Sequence, residues 1–74
     1  MLMYDYLVAY KFTAKGYITT NDGTMTISRK NKINSIEELE ITRKFIEESL
    51  INHGYKEVAN VGIYNLILLG RNNH

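Results

Sequence analysis

The chain has 74 residues, no Cys, only two His and a formal net charge of +1. This length gives room for one hydrophobic core, which buries only about 60% of the surface that the unfolded chain exposes. The lack of Cys and the scarcity of His exclude a disulfide framework and a zinc site of the usual composition. The small net charge excludes the strong basic excess of a dedicated nucleic-acid-binding protein.

So small a core is marginal, and domains of this size compensate with disulfides, metals or oligomerisation. We therefore expect a homo-oligomer, a dimer or a larger assembly, and no cofactor. The N-terminal residues lack the basic and apolar regions of a signal peptide, and no 18-residue apolar run is present. We expect a cytoplasmic protein that does not enter the membrane.

The first predicted element is a strand from Tyr4 to Thr13, because aromatic and β-branched residues alternate there with other types. One side of this strand carries Tyr4, Tyr6, Val8, Tyr10 and Phe12, and the other carries Asp5, Leu7, Ala9, Lys11 and Thr13. The strand should break at Ala14-Lys15-Gly16.

A second strand is predicted from Thr24 to Arg29. Asn21-Asp22-Gly23 precedes it and is typical of a turn, since these residues tolerate positive φ. The stretch from Tyr17 to Thr20 fits either a short strand or part of a long loop.

A helix is predicted to begin after Ser35, because Ser35 and Glu38 have the spacing of a capping box. Its apolar residues spread over about half of the circumference, at 100° per residue. His53 and Gly54 mark its end. Most of the acidic residues lie between Glu37 and Glu57, whereas the region before the helix is basic, so the molecule should have two electrically different sides.

The last predicted strand, from Val58 to Leu69, is apolar on both faces, which is typical of a central or interface strand. Gly70 is expected to end it, and residues 71–74 to form a disordered polar tail. Residues 1–70 are thus predicted to be a single ββαβ domain.

This order of elements predicts an α+β fold with a three-stranded antiparallel sheet of order 2-1-3 and one helix packed on one sheet face. The pattern does not decide which face the helix covers. An aromatic row on the open face would be an interface. The predicted interface residues are Tyr4, Tyr6, Tyr10 and Phe12, although packing in a thin core is the alternative for each of them.

No arrangement of residues indicates catalysis. Without Cys, a nucleophile would need Ser or Thr with a positioned His and an acid. His53 lies at a predicted helix end, and His74 is the last residue of the chain. The helix acids lie on its solvent side, so we predict no catalytic residue, no metal site and no enzymatic activity.

Four residues on and beside the hairpin combine stacking with positive charge, and they are the predicted ligand-binding residues: Lys15, Tyr17, Arg29 and Lys30. Such residues suit a small nucleotide, or single-stranded nucleic acid as the alternative. Lys15-Gly16-Tyr17 matches the start of an RNA-recognition signature, but Ile18 and Thr19 depart from it. Solubilising lysines and packed tyrosines are the simpler interpretation of each residue.

Four segments carry a resemblance to a known family: Tyr6–Thr13, Thr24–Ser28, Ile33–Glu38 and Val61–Leu66. The chain resembles small proteins of Gram-positive phages and prophages that open with a Tyr-rich strand, enter a helix at Ile-Asn-Ser and close with an apolar strand. The resemblance implies a phage accessory factor. It also implies a protein that acts against host defence, either by binding a host protein or by sequestering a signalling nucleotide.

Overall fold

The computed structural model describes all 74 residues and contains four elements: β1 (Leu2–Thr13), β2 (Asn21–Arg29), α1 (Ile36–Asn52) and β3 (Ala59–Asn73). The strands form one antiparallel sheet in the order β2-β1-β3. The predicted fold class, strand order and single helix are confirmed.

Helix α1 begins and ends where local signals predict. The backbone N–H of Glu38 donates to Ser35 Oγ at 3.2 Å, which is the predicted cap. His53 closes the helix, and Gly54 adopts a φ of +103° that only glycine takes up easily. No helix of the chain is long and apolar enough to cross a membrane.

The helix covers the aromatic side of β1, so the prediction that this side forms an open interface is wrong. Tyr6, Tyr10 and Phe12 are buried in the core beneath α1, and Tyr4 packs against its margin. The opposite side carries Asp5 and Lys11, and burying those charges under a helix would be costly. The simpler alternative, packing in a thin core, applies to this row.

Strand β2 begins earlier than predicted. Asn21, Asp22 and Gly23 pair with β1 instead of forming a turn, and Gly23 lies opposite Tyr10. The Tyr10 ring fills the space beside Gly23, because a Cβ added there would lie 2.5 Å from Tyr10 Oη. Residues 17–20 belong to the loop that joins β1 to β2.

Strand β3 continues through Gly70 to Asn73, so the predicted disordered tail is wrong. Asp5 holds this segment: Asn72 Nδ2 donates to its carboxylate at 2.7 Å, and His74 Nε2 lies 2.8 Å from it. The N-terminal ammonium of Met1 also donates to Asn73 Oδ1 at 2.9 Å. Three register shifts interrupt the pairing of β3 with β1.

The folded chain exposes more surface than its size requires. Its accessible surface is 5133 Å², against about 4,700 Å² for a typical monomer of this mass. Its radius of gyration is 12.9 Å, against about 11 Å for a typical domain of this length. Several large apolar side chains of α1 and β3 contribute to the excess.

Candidate functional site

The four predicted ligand-binding residues lie at two distant ends of β2. Lys15 and Tyr17 precede the strand, whereas Arg29 is its last residue and Lys30 follows. A nine-residue strand separates its ends by about 27 Å. The structure therefore does not bring the four residues together, and they form no continuous basic and aromatic surface.

Arg29 has a structural partner. Its Nη2 donates to Glu38 Oε2 at 2.6 Å, and both side chains are largely shielded from solvent. The pair joins the end of β2 to the first turn of α1. Lys15 forms a longer contact with Glu57 at 3.8 Å, and such an exposed pair contributes little to stability. Lys30 is exposed.

An open cleft of about 510 Å³ lies between the start of β2 and the last turn of α1. This volume is within the range of small-molecule sites. Nine residues line the cleft: Tyr10, Phe12, Asp22, Thr24, Met25, Ser49, Leu50, His53 and Tyr55. We call this set the aromatic cleft.

The turn after α1 builds one wall of the aromatic cleft. Gly54 reverses the chain with its positive φ, and the N–H of Tyr55 then donates to the carbonyl of Leu50 at 3.2 Å. The Tyr55 ring meets Phe12 edge to face, with 4.9 Å between ring centroids. This geometry is favourable for aromatic pairs, and it holds Tyr55 at the cleft wall.

Tyr17 extends the cleft outwards. Its ring lies 5.6 Å from that of Tyr55, and the two rings line a smaller depression of about 230 Å³ together with His53 and Gly54. About half of Tyr17 is exposed, at 53%. Of the predicted ligand-binding residues, Tyr17 is the one that lies beside the aromatic cleft, whereas Arg29 lines a separate open hollow of about 280 Å³ with residues of α1.

Two polar side chains, Tyr10 and His53, give the aromatic cleft its chemistry. Burial raises the pKa of Tyr10, and the neighbouring Tyr55 adds to the effect, so Tyr10 keeps its hydroxyl proton at neutral pH. His53 Nδ1 lies 2.6 Å from the Ser49 carbonyl. Because a carbonyl only accepts, Nδ1 carries the proton, and the neutral ring has Nε2 left as an acceptor.

No positive charge lies in the lining of the aromatic cleft, and the C-terminal end of α1 adds partial negative charge. Asp22 borders the cleft, but it lies opposite Lys11 of β1, so its exposed side chain belongs to the open face of the sheet. The interior of the cleft therefore offers aromatic rings and no cationic group for an anion.

A polar cluster around Asp5 resembles a catalytic arrangement only in its residue types. Ser28 Oγ donates to Asp5 Oδ1 at 2.6 Å, and His74 contacts the same oxygen. The serine proton is directed at a carboxylate and not at the histidine, so the cluster has no activated nucleophile. No group of three or more His, Cys, Asp or Glu side chains could hold a metal ion.

Most cleft residues were missed by the sequence patterns. The sequence patterns predict a turn at Asp22, a helix end at His53 and an interface at Tyr10. Tyr55 directly follows the Gly that ends α1. An aromatic residue at this position is the feature of the sequence that could have indicated a ring packed back on the core. No family model, curated protein or solved structure matches the chain.

Proposed function

We propose that this chain is a non-catalytic binding protein of phage or mobile-element origin, which antagonises a host function by sequestering a nucleotide-like ligand or a host protein. In this proposal it acts against host defence, in the cytoplasm of the host cell. The resemblance of its strands and helix cap to small phage proteins supports the origin. The aromatic cleft supports the binding.

The observation that carries the proposal is the aromatic lining of an open cleft. Tyr10, Phe12 and Tyr55 form a continuous apolar wall, and Tyr17 stands half-exposed at its mouth. Stacking of a nucleobase on an aromatic side chain is worth about 1–3 kcal/mol per base. The Tyr17 ring packs against that of Tyr55 at 5.6 Å, so the exposed outer face of Tyr17 is the surface on which a base would stack.

A nucleotide-like ligand would enter ring first. The hydroxyl of Tyr10 can donate to a ring acceptor, and Nε2 of His53 can accept from an exocyclic amine. The C-terminal end of α1 would keep phosphates outside. In this arrangement the ring provides affinity, and the phosphates add little.

Self-association belongs to the same proposal. A core of ten hydrophobic residues is small, and the exposed surface is larger than a monomer of this mass needs. Covering apolar surface in an oligomer would compensate for both features.

The test is calorimetric titration with a panel of nucleosides, mononucleotides and cyclic nucleotides, using wild type and Tyr17→Ala. We expect one class of base to bind, and Tyr17→Ala to weaken it by about fivefold to about a hundredfold, which corresponds to the loss of one stacking surface. Ile18→Ala is the matched control, because Ile18 is fully exposed in the same loop.

Equal losses of affinity in Tyr17→Ala and Ile18→Ala would show that a change in the loop, and not the loss of ring stacking, weakens binding. Absence of binding for every base in the panel would contradict the nucleotide-like ligand.

A further inference from the structure

Strand β3 is an edge strand whose apolar stretch carries no protecting charge or Pro. Natural edge strands carry charges, Pro or inward-pointing Lys, which prevent pairing with other chains. From Ala59 to Leu69, β3 contains no charged residue and no Pro. The opposite edge, β2, carries Asp22 and Arg29, and Thr and Ser occupy its open face.

Apolar side chains surround the β3 edge on both faces of the sheet. On the open face, Ile67 is 43% exposed, and on the helix face Leu68 is 45% exposed. Helix α1 continues this surface, because Ile36 and Leu39 form a hollow of about 210 Å³ with Ile63. The β3 edge is thus the centre of an apolar surface that extends over both sheet faces.

The middle of β3 is regular enough to accept another strand. Residues 65–68 pair in unbroken register with Ala9, Val8, Leu7 and Tyr6 of β1. The register shifts lie on either side of this segment, between Asp5 and Tyr6 and between Ala9 and Tyr10. The outer edge of residues 65–68 has no strand partner in the chain.

We propose that β3 pairs with β3 of a second copy of this chain, antiparallel and centred on residues 65–68. The product is a twofold dimer with one continuous sheet of order β2-β1-β3-β3-β1-β2. Such an isologous interface closes on itself and leaves no further apolar edge. This inference rests on the proposed self-association, and it names the surface and the symmetry.

A stable dimer needs only a small fraction of the exposed surface. A standard interface buries about 800 Å² per partner, which is roughly a sixth of the 5133 Å² surface of the chain. Residues 59–69 extend over about 35 Å at about 3.4 Å per residue. Their side chains cover both sheet faces, so strand pairing would bury apolar surface above and below the joined backbones.

One row of the sheet provides matched variants for the test. Thr26, Leu7 and Ile67 are neighbours across the open face, with Thr26 on the β2 edge and Ile67 on the β3 edge. Leu68 points to the helix face beside the same edge. Sedimentation velocity over a range of concentrations would compare wild type with Thr26→Lys, Ile67→Lys and Leu68→Lys.

We expect wild type to sediment at twice 8.6 kDa. Ile67→Lys and Leu68→Lys should weaken the dimer by at least about tenfold, because each places two like charges close to the dyad, one from each copy, in an otherwise apolar interface. Thr26→Lys should leave it unchanged. Loss of the dimer in Thr26→Lys and Ile67→Lys but not in Leu68→Lys would overturn the inference in favour of stacking through the open face.

A second measurement tests the same interface if a Lys variant fails to fold. The chain has no Cys, so single Cys at Asn65, Leu66, Ile67 or Leu68 reports contacts between copies by disulfide formation. We expect covalent dimers for at least one of these positions and none for Thr24→Cys. A wild-type monomer would contradict the proposed self-association. A wild-type dimer that forms cross-links only through β2 would contradict the β3 interface but not the self-association. Neither outcome decides whether a ligand binds, which the calorimetric titration tests.

Discussion

The hydroxyl of Tyr6 accepts a hydrogen bond from the backbone N–H of Ile33 at 2.9 Å, and both residues are buried. This bond ties the centre of β1 to the connection between β2 and α1. Tyr6→Phe would leave the Ile33 N–H buried without a partner. We expect the free energy of unfolding to fall by about 1–3 kcal/mol, as measured by urea denaturation at one fixed protein concentration.

Tyr64→Phe is the control for this change, because Tyr64 is exposed and its hydroxyl leaves no buried group unpaired. Equal stability of Tyr6→Phe and wild type would show that solvent replaces the hydroxyl, contrary to the burial of this site.

Arg29 pairs with Glu38 at the end of β2 that lies away from the aromatic cleft. Arg29→Ala removes a hydrogen bond between charged groups and leaves Glu38 largely shielded, so we expect a loss of about 1.5–3 kcal/mol in the free energy of unfolding. Ligand affinity at the distant aromatic cleft should not change. Lys30→Ala, next in the chain and exposed, should alter neither quantity. A loss of ligand affinity in folded Arg29→Ala would show that Arg29 contributes to ligand binding.

Features encoded by neighbouring residues were predictable from the sequence. The bond between Ser35 and Glu38 and the stop at Gly54 depend on residues within one helical turn. The strand order follows from the sequence of elements. Features that depend on distant pairs were not predictable: the extension of β3 to Asn73 requires Asp5 at the other end of the chain.

The choice of sheet face also depended on distant pairs. Both sides of β1 carry apolar residues, and α1 covers the aromatic side, where Ile46 and Leu50 join the same core. For the same reason, the aromatic cleft was not predictable as a site. It forms only where the end of α1 meets the start of β2, and it joins residues separated by about half of the chain.

Asp5 makes stability dependent on pH. Hydrogen bonds from Ser28 and Asn72 lower the pKa of Asp5 below its ordinary value of 3.8, and His74 contributes to the same shift. Because the unfolded chain takes up the proton first as pH falls, this stabilisation is present above about pH 4 and is lost as pH falls through the lower folded value.

The measurement is the melting temperature of wild type and Asp5→Asn between about pH 6 and about pH 2.5. We expect wild type to melt higher at the upper end, with the difference narrowing below pH 3.8. A constant difference over the whole range would mean that ionisation of Asp5 does not stabilise the fold.

Native mass spectrometry tests the central claim most directly, because one spectrum reports both the number of subunits and any retained small molecule. Wild type and Tyr17→Ala would be purified in parallel from bacterial cytoplasm. The account predicts a dimer of 8.6 kDa subunits with an added nucleotide-sized mass in wild type, and the same dimer without that mass in Tyr17→Ala. A wild-type monomer without any added mass would contradict both the proposed binding and the proposed assembly.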